Sequence, residues 1–478
     1  MVETRFTGPD LCRLTAREAV AKLKAGEIAP ADLIDAAEAR IAATGPAINA
    51  TPTLCFDRAR TAASALPADP GHPGWLAGLP LTIKDLTPVA GVRTTFGTPA
   101  FADHVPAASA PLVERLEARG GVVIGKSNTP EMGAGANTFN AVLGTTRNPW
   151  STAMNAGGSS GGAAAALAAG EVWLAHGSDL AGSLRTPAAY CGVVGLRPVP
   201  GRAGGGPATA AFLTEGVSGP MARNVGDIAL FLDAMAGFDP REPITLPEPA
   251  ESFQAALARD PGPIRIAFAP DQGGFAPVEA DVADCLAAAM RRAADADRIA
   301  VEEACPDLPG LEEANLTLRG LHFGAVNAAH PPEVQAQFKA TLAQNTAEGL
   351  ALSSETIYRA LRQRTVLYQT MRAFLERYDV LALPVVGLAP RPVEEEYPAA
   401  VSGVAVRSYV DWLRFAFLAT TTGLPAIALP CGFVQGLPMA IQLIGPPRGE
   451  ARLLQVAARL EALFGFPATP IDPVVTHG

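Results

Sequence analysis

The amino-acid sequence predicts an α/β protein with a single large mixed β-sheet covered by helices on both faces. Short apolar runs typical of buried strands alternate along the chain with stretches of helical periodicity, which is the order of elements in α/β folds. The composition agrees, because 478 residues with 49% hydrophobic and only 18% charged residues supply enough apolar material for a large core.

Residues 1–60 are predicted to form an N-terminal helical segment that packs on the core. Thr15 and Glu18 have the spacing of a capping box, and Gly26 marks the end of the helix that they begin. A second helix is expected from about Pro30, because apolar residues at helical spacing follow this proline.

Residues 61–240 are predicted to form the core of the sheet. Residues 79–84 and 121–125 have the pattern of short buried strands, and residues 111–119 between them have helical periodicity. This strand, helix, strand order is typical of an α/β sheet.

The rest of the chain is predicted to belong to the same domain. Residues 241–405 are rich in proline and then in alanine, and are expected to form a variable, more helical segment. Residues 406–478 are expected to complete the core with strands and a helix. The later strands are predicted at 264–269, 380–386, 426–430 and 439–444, and the last helix at 453–463.

Composition also argues against several classes of function. The net charge of −10, without a basic stripe, disfavours a nucleic-acid partner. No signal peptide or membrane span is expected, so the predicted location is the cytoplasm. The six cysteines are widely separated and are expected to be reduced thiols, and no metal or cofactor site is predicted. A homodimer is compatible with the sequence.

Residues 120–127 match the Walker A phosphate-binding pattern letter by letter. Nucleotide binding is nevertheless disfavoured, because three β-branched residues lie between the glycines and a helix instead of a strand precedes Gly120. Lys126 is therefore interpreted as an ordinary loop lysine.

Residues 157–161 match the G-x-S-x-G pattern of α/β-hydrolases. That motif must follow a strand, whereas residues 147–156 have the composition of a loop. His176 is the only histidine nearby, and it is interpreted as a structural residue instead of a catalytic base.

Residues 156–198 have the pattern of loop, helix, loop, and their glycines allow backbone N–H groups to approach a ligand closely. Three motifs here and upstream resemble those of the amidase-signature family: GLPLTIKD at 78–85, GGSSGG at 157–162 and GSDLAGSLRTP at 177–187. The spacing resembles that of the family too, with 75 residues from Lys84 to Ser159 and 24 from Ser159 to Ser183.

The resemblance implies a catalytic triad without histidine. Ser183 would be the nucleophile, Ser159 a bridging serine on a cis peptide bond, and Lys84 the base. The backbone N–H groups that would form the oxyanion hole are those of Leu180, Ala181, Gly182 and Ser183.

The resemblance also implies supporting residues. Ser160, Asp179 and Arg185 would hold the two catalytic loops in place. A loop that includes Met132, Gly133 and Ala134 would border the substrate pocket, and its small residues suggest room for a bulky group.

Chemistry favours the same role for Lys84 independently of the family. A lysine can accept a proton only when neutral, which requires a pKa lowered from about 10.4 to about 7–8. Burial in an apolar strand, which Leu81 and Ile83 indicate, would lower the pKa in this way. Asp85 would oppose the effect if it faced the amine, but adjacent strand residues point to opposite faces.

The predicted function is hydrolysis of a linear amide, or of an ester or carbamate, through an acyl-enzyme intermediate. The partner would be a small-molecule amide. The alternative is the glutaminase (A) subunit of a tRNA-dependent amidotransferase, which shares these motifs. Two residues depart from the family pattern: Ala181 and Met439 both stand where glycine is usual, and the first raises a question about the backbone of the oxyanion loop.

Overall fold

An eleven-stranded mixed sheet forms the centre of the computed structural model, which describes residues 5–477. Residues 1–4 of the predicted N-terminal segment and residue 478 of the predicted C-terminal segment lie outside the described residues. Six further strands of the described residues form three small two-stranded sheets. All the strands, in chain order, are β1 (Thr53–Leu54), β2 (Pro80–Lys84), β3 (Val122–Ser127), β4 (Phe139–Asn140), β5 (Gly144–Thr145), β6 (Arg147–Asn148), β7 (Ser151–Asn155), β8 (Leu174–Asp179), β9 (Val194–Arg197), β10 (Val217–Ala222), β11 (Ile264–Phe268), β12 (Ile299–Glu303), β13 (Val380–Pro384), β14 (Ala400–Val401), β15 (Val404–Ala405), β16 (Ala426–Val434) and β17 (Leu437–Ile444).

Helices lie on both faces of this sheet, as the sequence predicted. They are α1 (Ala16–Ala25), α2 (Pro30–Ile48), α3 (Phe56–Ser64), α4 (Pro111–Ala118), α5 (Gly161–Ala169), α6 (Arg185–Cys191), α7 (Val225–Met235), α8 (Phe253–Leu257), α9 (Ala280–Ala294), α10 (Leu311–Asn327), α11 (Pro332–Gln335), α12 (Ala340–Leu350), α13 (Ser354–Phe374), α14 (Phe417–Thr422) and α15 (Glu450–Phe464). None of the helices within residues 5–477 is both long and apolar enough to cross a membrane.

The main sheet has the strand order β1-β3-β2-β8-β10-β9-β16-β17-β13-β11-β12. Strands β3, β2 and β8 are parallel neighbours, and their registers pair Lys84 with Ser127 and Ile83 with His176. Carboxyl ends of parallel strands meet at one edge of a sheet, where the loops that follow them come together. The segment 241–405 adds β11, β12 and β13 to this same sheet.

Helix α1 begins and ends at the predicted residues, and α2 begins at the predicted proline. In the capping box of α1, the Thr15 hydroxyl accepts a hydrogen bond from the Glu18 N–H at 3.2 Å, and Glu18 accepts one from the Thr15 N–H at 2.8 Å. Gly26 ends the helix in the left-handed conformation with φ 70°, and α2 starts at Pro30.

Helix α5 is buried on all sides, because its residues are glycine, alanine and one leucine. Such small side chains let it pack closely on the sheet and on α6. A Cβ atom at Gly162 would lie 2.3 Å from the backbone nitrogen of Asn128, so only glycine fits at this approach.

The prediction of loop, helix, loop for residues 156–198 was wrong. This segment contains α5, β8, α6 and β9. Strand β8 escaped prediction because polar residues such as His176 and Ser178 interrupt its apolar pattern, although the strand is almost entirely buried at the centre of the sheet. The prediction of a loop for residues 147–156 was also wrong, because β6 and β7 form a small antiparallel pair there.

The interpretation of Lys126 as a loop lysine was wrong as well. Lys126 lies in β3, is fully buried, and its Nζ lies 3.4 Å from the carboxylate of Asp85. Nζ also donates hydrogen bonds to Thr94 Oγ1 at 2.8 Å and to the Thr87 carbonyl at 2.7 Å. Met439, the second departure from the family pattern, lies fully buried in β17 and fills the hydrophobic core.

Candidate active site

The predicted catalytic residues meet at the carboxyl edge of β2 and β8. Lys84 is the last residue of β2, and Ser183 lies on the loop between β8 and α6. Ser159 and Ser160 directly precede α5, which packs against the same strands. The fold therefore brings together residues that are up to 99 positions apart in the sequence.

The amine of Lys84 is fully buried among serine side chains. Its Nζ lies 2.7 Å from Ser159 Oγ, 2.8 Å from Ser160 Oγ and 3.1 Å from Ser178 Oγ. A neutral amine has two N–H donors and one lone pair, so it can accept a proton from one hydroxyl while it donates to two others. This arrangement suits a base that acts on Ser159.

Burial lowers the pKa of Lys84 to about 7, although the negative charge of Asp179 acts in the opposite direction. The positive end of α5 at Ser160 also lies beside the amine and disfavours the ammonium form. Asp85 does not face the amine, since its carboxylate forms an ion pair with Lys126 and accepts hydrogen bonds from the Thr95 N–H and hydroxyl.

Ser160 connects the two serine loops. Its N–H donates to the carbonyl of Ser183 at 3.1 Å, and its hydroxyl donates to the carbonyl of Ser178 at 3.2 Å. The peptide bond between Gly158 and Ser159 is cis. Ser183 is 9% exposed, so most of its surface is covered by the protein.

The carboxylate of Asp179 organises the loop that carries Ser183. It accepts hydrogen bonds from the N–H groups of Gly182 at 2.9 Å and Leu184 at 3.1 Å, and from two nitrogens of Arg185, both at 2.9 Å. Burial alone would raise the pKa of Asp179, but the guanidinium groups of Arg185 and Arg197 hold it well below its ordinary range.

The predicted oxyanion loop has one donor that is already engaged, because the N–H of Gly182 points to Asp179. Gly182 has φ 90°, which glycine adopts readily, whereas Ala181 is not among the residues with positive φ. Alanine is therefore compatible with the backbone at position 181. The proposal of an oxyanion hole then rests on the N–H groups of Leu180, Ala181 and Ser183.

His176 lies buried in β8, next to β2. Burial lowers the pKa of its imidazole to about 3, and the charges of Lys84 and Lys126 act in the same direction. Its Nε2 lies 3.2 Å from Ser218 Oγ and its Nδ1 3.4 Å from the Lys84 backbone nitrogen. These contacts are those of a neutral histidine that packs within the sheet.

The predicted pocket loop borders the serines. A Cβ atom at Gly133 would lie 3.5 Å from Ser159 Oγ, so the backbone passes close to the bridging hydroxyl. Met132 has φ 47°, an uncommon conformation for a residue other than glycine. Ala134 is fully buried in an apolar cluster with side chains from α10 and α12.

Two residues at the site were missed from the sequence. Ser178 is a neighbour of the Lys84 amine, and it is the serine of the GSD motif, which was the available signal. Arg197, in β9, donates to the Asp179 carbonyl at 2.5 Å, and no local pattern distinguishes it from any other arginine. Within residues 5–477, no three His, Cys, Asp or Glu side chains are grouped so that they could hold a metal ion.

The hydrogen bonds and ion pairs of Asp179 are expected to contribute strongly to the free energy of unfolding. Replacing Asp179 by alanine leaves Arg185 and Arg197 buried without their carboxylate, which is expected to cost about 3–5 kcal/mol in the free energy of unfolding. The measurement is denaturant unfolding. The control is Arg372→Ala, which removes an exposed ion pair with Glu376 and should change stability by no more than about 0.5 kcal/mol. Equal losses in the two variants would contradict the prediction.

Comparison with known proteins gives a consistent match. The model of the family described as Amidase matches residues 32–454. The chain is 34% identical over 473 residues to an acylamidase from Rhodococcus erythropolis, covering 96% of this chain and 97% of the relative. It is 33% identical over 498 residues to the A subunit of glutamyl-tRNA(Gln) amidotransferase from Anaeromyxobacter dehalogenans, covering 97% and 99%.

Solved structures agree with this match. A bacterial aryl acylamidase of the amidase-signature family superimposes with a TM-score of 0.86 at 27% identity, covering 95% of this chain and 98% of the other. A 6-aminohexanoate cyclic dimer hydrolase superimposes with a TM-score of 0.85 at 28% identity, covering 97% and 99%. Both similarities extend over almost the entire chain.

Proposed function

The chain belongs to the amidase family, and we propose that it hydrolyses linear amides through an acyl-enzyme intermediate formed by Lys84, Ser159 and Ser183. The observation that carries this proposal is the buried Lys84 amine, whose Nζ lies 2.7 Å from Ser159 Oγ and whose pKa is lowered by burial to about 7. A lysine in this state can act as a base at neutral pH.

The proposed first half-reaction forms an ester on Ser183. The Ser183 oxygen attacks the amide carbon while its proton passes to Ser159, whose own proton passes to the Lys84 amine. The negative charge on the carbonyl oxygen is stabilised by the N–H groups of Leu180, Ala181 and Ser183. The proton then returns through Ser159 to the leaving nitrogen, and the carbon–nitrogen bond breaks.

The proposed second half-reaction regenerates the enzyme. A water molecule attacks the ester carbon and gives its proton to Lys84 through Ser159, and the carbon–oxygen bond to Ser183 breaks as the serine recovers a proton. The same groups act in both steps, so no additional residue is required. Esters and carbamates are accessible to this chemistry for the same reason.

The second candidate is the glutaminase subunit of an amidotransferase, which the similarity to the A subunit of glutamyl-tRNA(Gln) amidotransferase favours. A free-standing amidase should hydrolyse simple amides as a purified single chain. A glutaminase subunit should instead favour glutamine and depend on partner chains. We expect the purified chain to release ammonia from simple amides without any partner. Absence of turnover on every amide, with glutamine hydrolysis appearing only on addition of partner subunits, would support the second candidate.

A further inference from the structure

An apolar wall lies beside the predicted nucleophile. Its buried part consists of five side chains that pack together: Ala134, Phe323, Leu342, Tyr409 and Val410. Four side chains that are only partly buried pack against these: Met132, Leu180, Phe338 and Tyr397. We use the term apolar wall for these nine residues.

Two members of the wall connect it directly to the catalytic residues. Met132 is next to Gly133, whose backbone approaches Ser159 Oγ. Leu180 is the first residue of the oxyanion loop that ends at Ser183. A group attached to an amide bond at Ser183 would therefore contact the exposed part of the wall.

Two cationic side chains that border the wall, Arg319 and Lys339, already interact with other side chains. The guanidinium of Arg319 lies 4.4 Å from the centre of the Phe323 ring and donates hydrogen bonds to Tyr409 Oη and to Asn345 Oδ1. The Lys339 amine pairs with a carboxylate oxygen of Glu396 at 2.9 Å. Glu396 therefore compensates the charge of Lys339, whereas the hydrogen-bond acceptors of Arg319 are neutral groups.

An acidic side chain also borders the apolar wall. Glu131 is buried beside Met132; its Oε2 accepts a hydrogen bond from the Lys339 N–H at 2.8 Å, and its Oε1 has no hydrogen-bond partner among the described residues. Glu215 is next to Gly216, which approaches Leu180, and its carboxylate is compensated by Arg364 at 2.8 Å. A substrate carboxylate, such as that of glutamine, would meet the apolar side chains of the wall and the buried Glu131 here, at a cost in desolvation.

We propose that the substrate carries a bulky, uncharged, apolar group next to the scissile amide bond, and that the apolar wall binds this group. This inference rests on the proposed function, because it concerns the same site. The proposed substrates are uncharged and apolar next to the amide bond, whereas glutamine carries a charged carboxylate. The apolar group can lie on the acyl side or on the amine side, and the two sides are distinguished by experiment.

The test measures kcat/KM of the purified chain on matched amides. Hexanamide compared with acetamide probes the acyl side, and N-hexylacetamide compared with N-methylacetamide probes the amine side. At least one longer substrate is expected to exceed its short counterpart by about 10²-fold, because four or five buried methylene groups add this much binding free energy. Glutamine is expected to be no better than acetamide.

Variants of the wall make the test specific. Phe338→Ala removes a partly buried aromatic side chain of the wall, and the ratio of kcat/KM between the longer and the shorter amide is expected to fall by about tenfold or more. Phe323→Ala removes a buried side chain of the wall and is also expected to lower the preference for the longer amide. The matched control is Phe238→Ala, an exposed phenylalanine outside the wall, which should leave the preference unchanged.

The outcomes separate the two proposals. Hydrolysis of acetamide or glutamine at rates equal to or above those of both longer amides would overturn the apolar-group inference and leave the amidase proposal standing. Loss of preference equally in Phe238→Ala would also overturn it. No turnover on any of the amides would count against the proposed function itself.

Discussion

Replacing Ser183 by alanine is expected to lower kcat on the order of 10⁴–10⁶-fold while the chain stays folded. The change removes the oxygen that is proposed to attack the amide carbon. It deletes a single atom at a site that is 9% exposed, so it should change the stability of the protein only slightly. The measurements are amide turnover and denaturant unfolding of the variant beside the unmodified chain.

Covalent labelling provides the independent check on Ser183. A fluorophosphonate probe reacts with activated serines, so the unmodified chain should be labelled at Ser183 and Ser183→Ala should not be labelled at all. The control is Ser64→Ala on the exposed side of α3, which should be labelled and should hydrolyse amides at the unmodified rate. A label mapped to Ser159 or to another serine would contradict the assignment of the nucleophile.

The rate is expected to fall below about pH 7, by about tenfold for each pH unit, as Lys84 becomes protonated. Burial lowers the pKa of this lysine to about 7, so the amine is mostly neutral above that pH and can accept a proton. An ammonium group below that pH cannot. Lys84→Ala is therefore expected to lose at least about 10²-fold in kcat/KM and, where residual turnover is measurable, to lose the acidic limb.

His176→Gln is the control for the pH profile. His176 also lies near the site, but burial lowers the pKa of its imidazole to about 3, so it does not titrate near pH 7. The acidic limb should therefore persist in this variant. A limb that disappears with His176, or a free-enzyme pKa near that of an ordinary lysine, would refute Lys84 as the base.

The local pattern of the sequence was sufficient to predict many elements of the fold. Thr15, Glu18 and Gly26 bounded α1 correctly, because capping and left-handed glycine involve only neighbouring backbone groups. The runs that became β3 and β13 were predicted because their apolar residues are continuous. Strand β8 was missed because polar residues interrupt its apolar pattern, and its burial comes from neighbours that are distant in sequence.

The candidate site, like the fold, was predicted only in part from the sequence. The motifs around Lys84, Ser159 and Ser183 resemble those of the amidase-signature family, and this resemblance was the basis for predicting a lysine and two serines with related roles. The contribution of Ser178 to the environment of the lysine amine could not be predicted, since it depends on the register of two parallel strands. The burial of Lys126 against Asp85 depends on the same sheet packing.

Fold class, family and the identity of the candidate catalytic residues followed from the sequence alone, because these depend on patterns within short segments. The electrostatics and the shape of the site became known from the tertiary structure. The pKa of Lys84 follows from its removal from water by surrounding elements, and the apolar wall arises where α10, α12 and the segment around Tyr409 converge. Burial and convergence are properties of non-local packing, which no window of sequence contains.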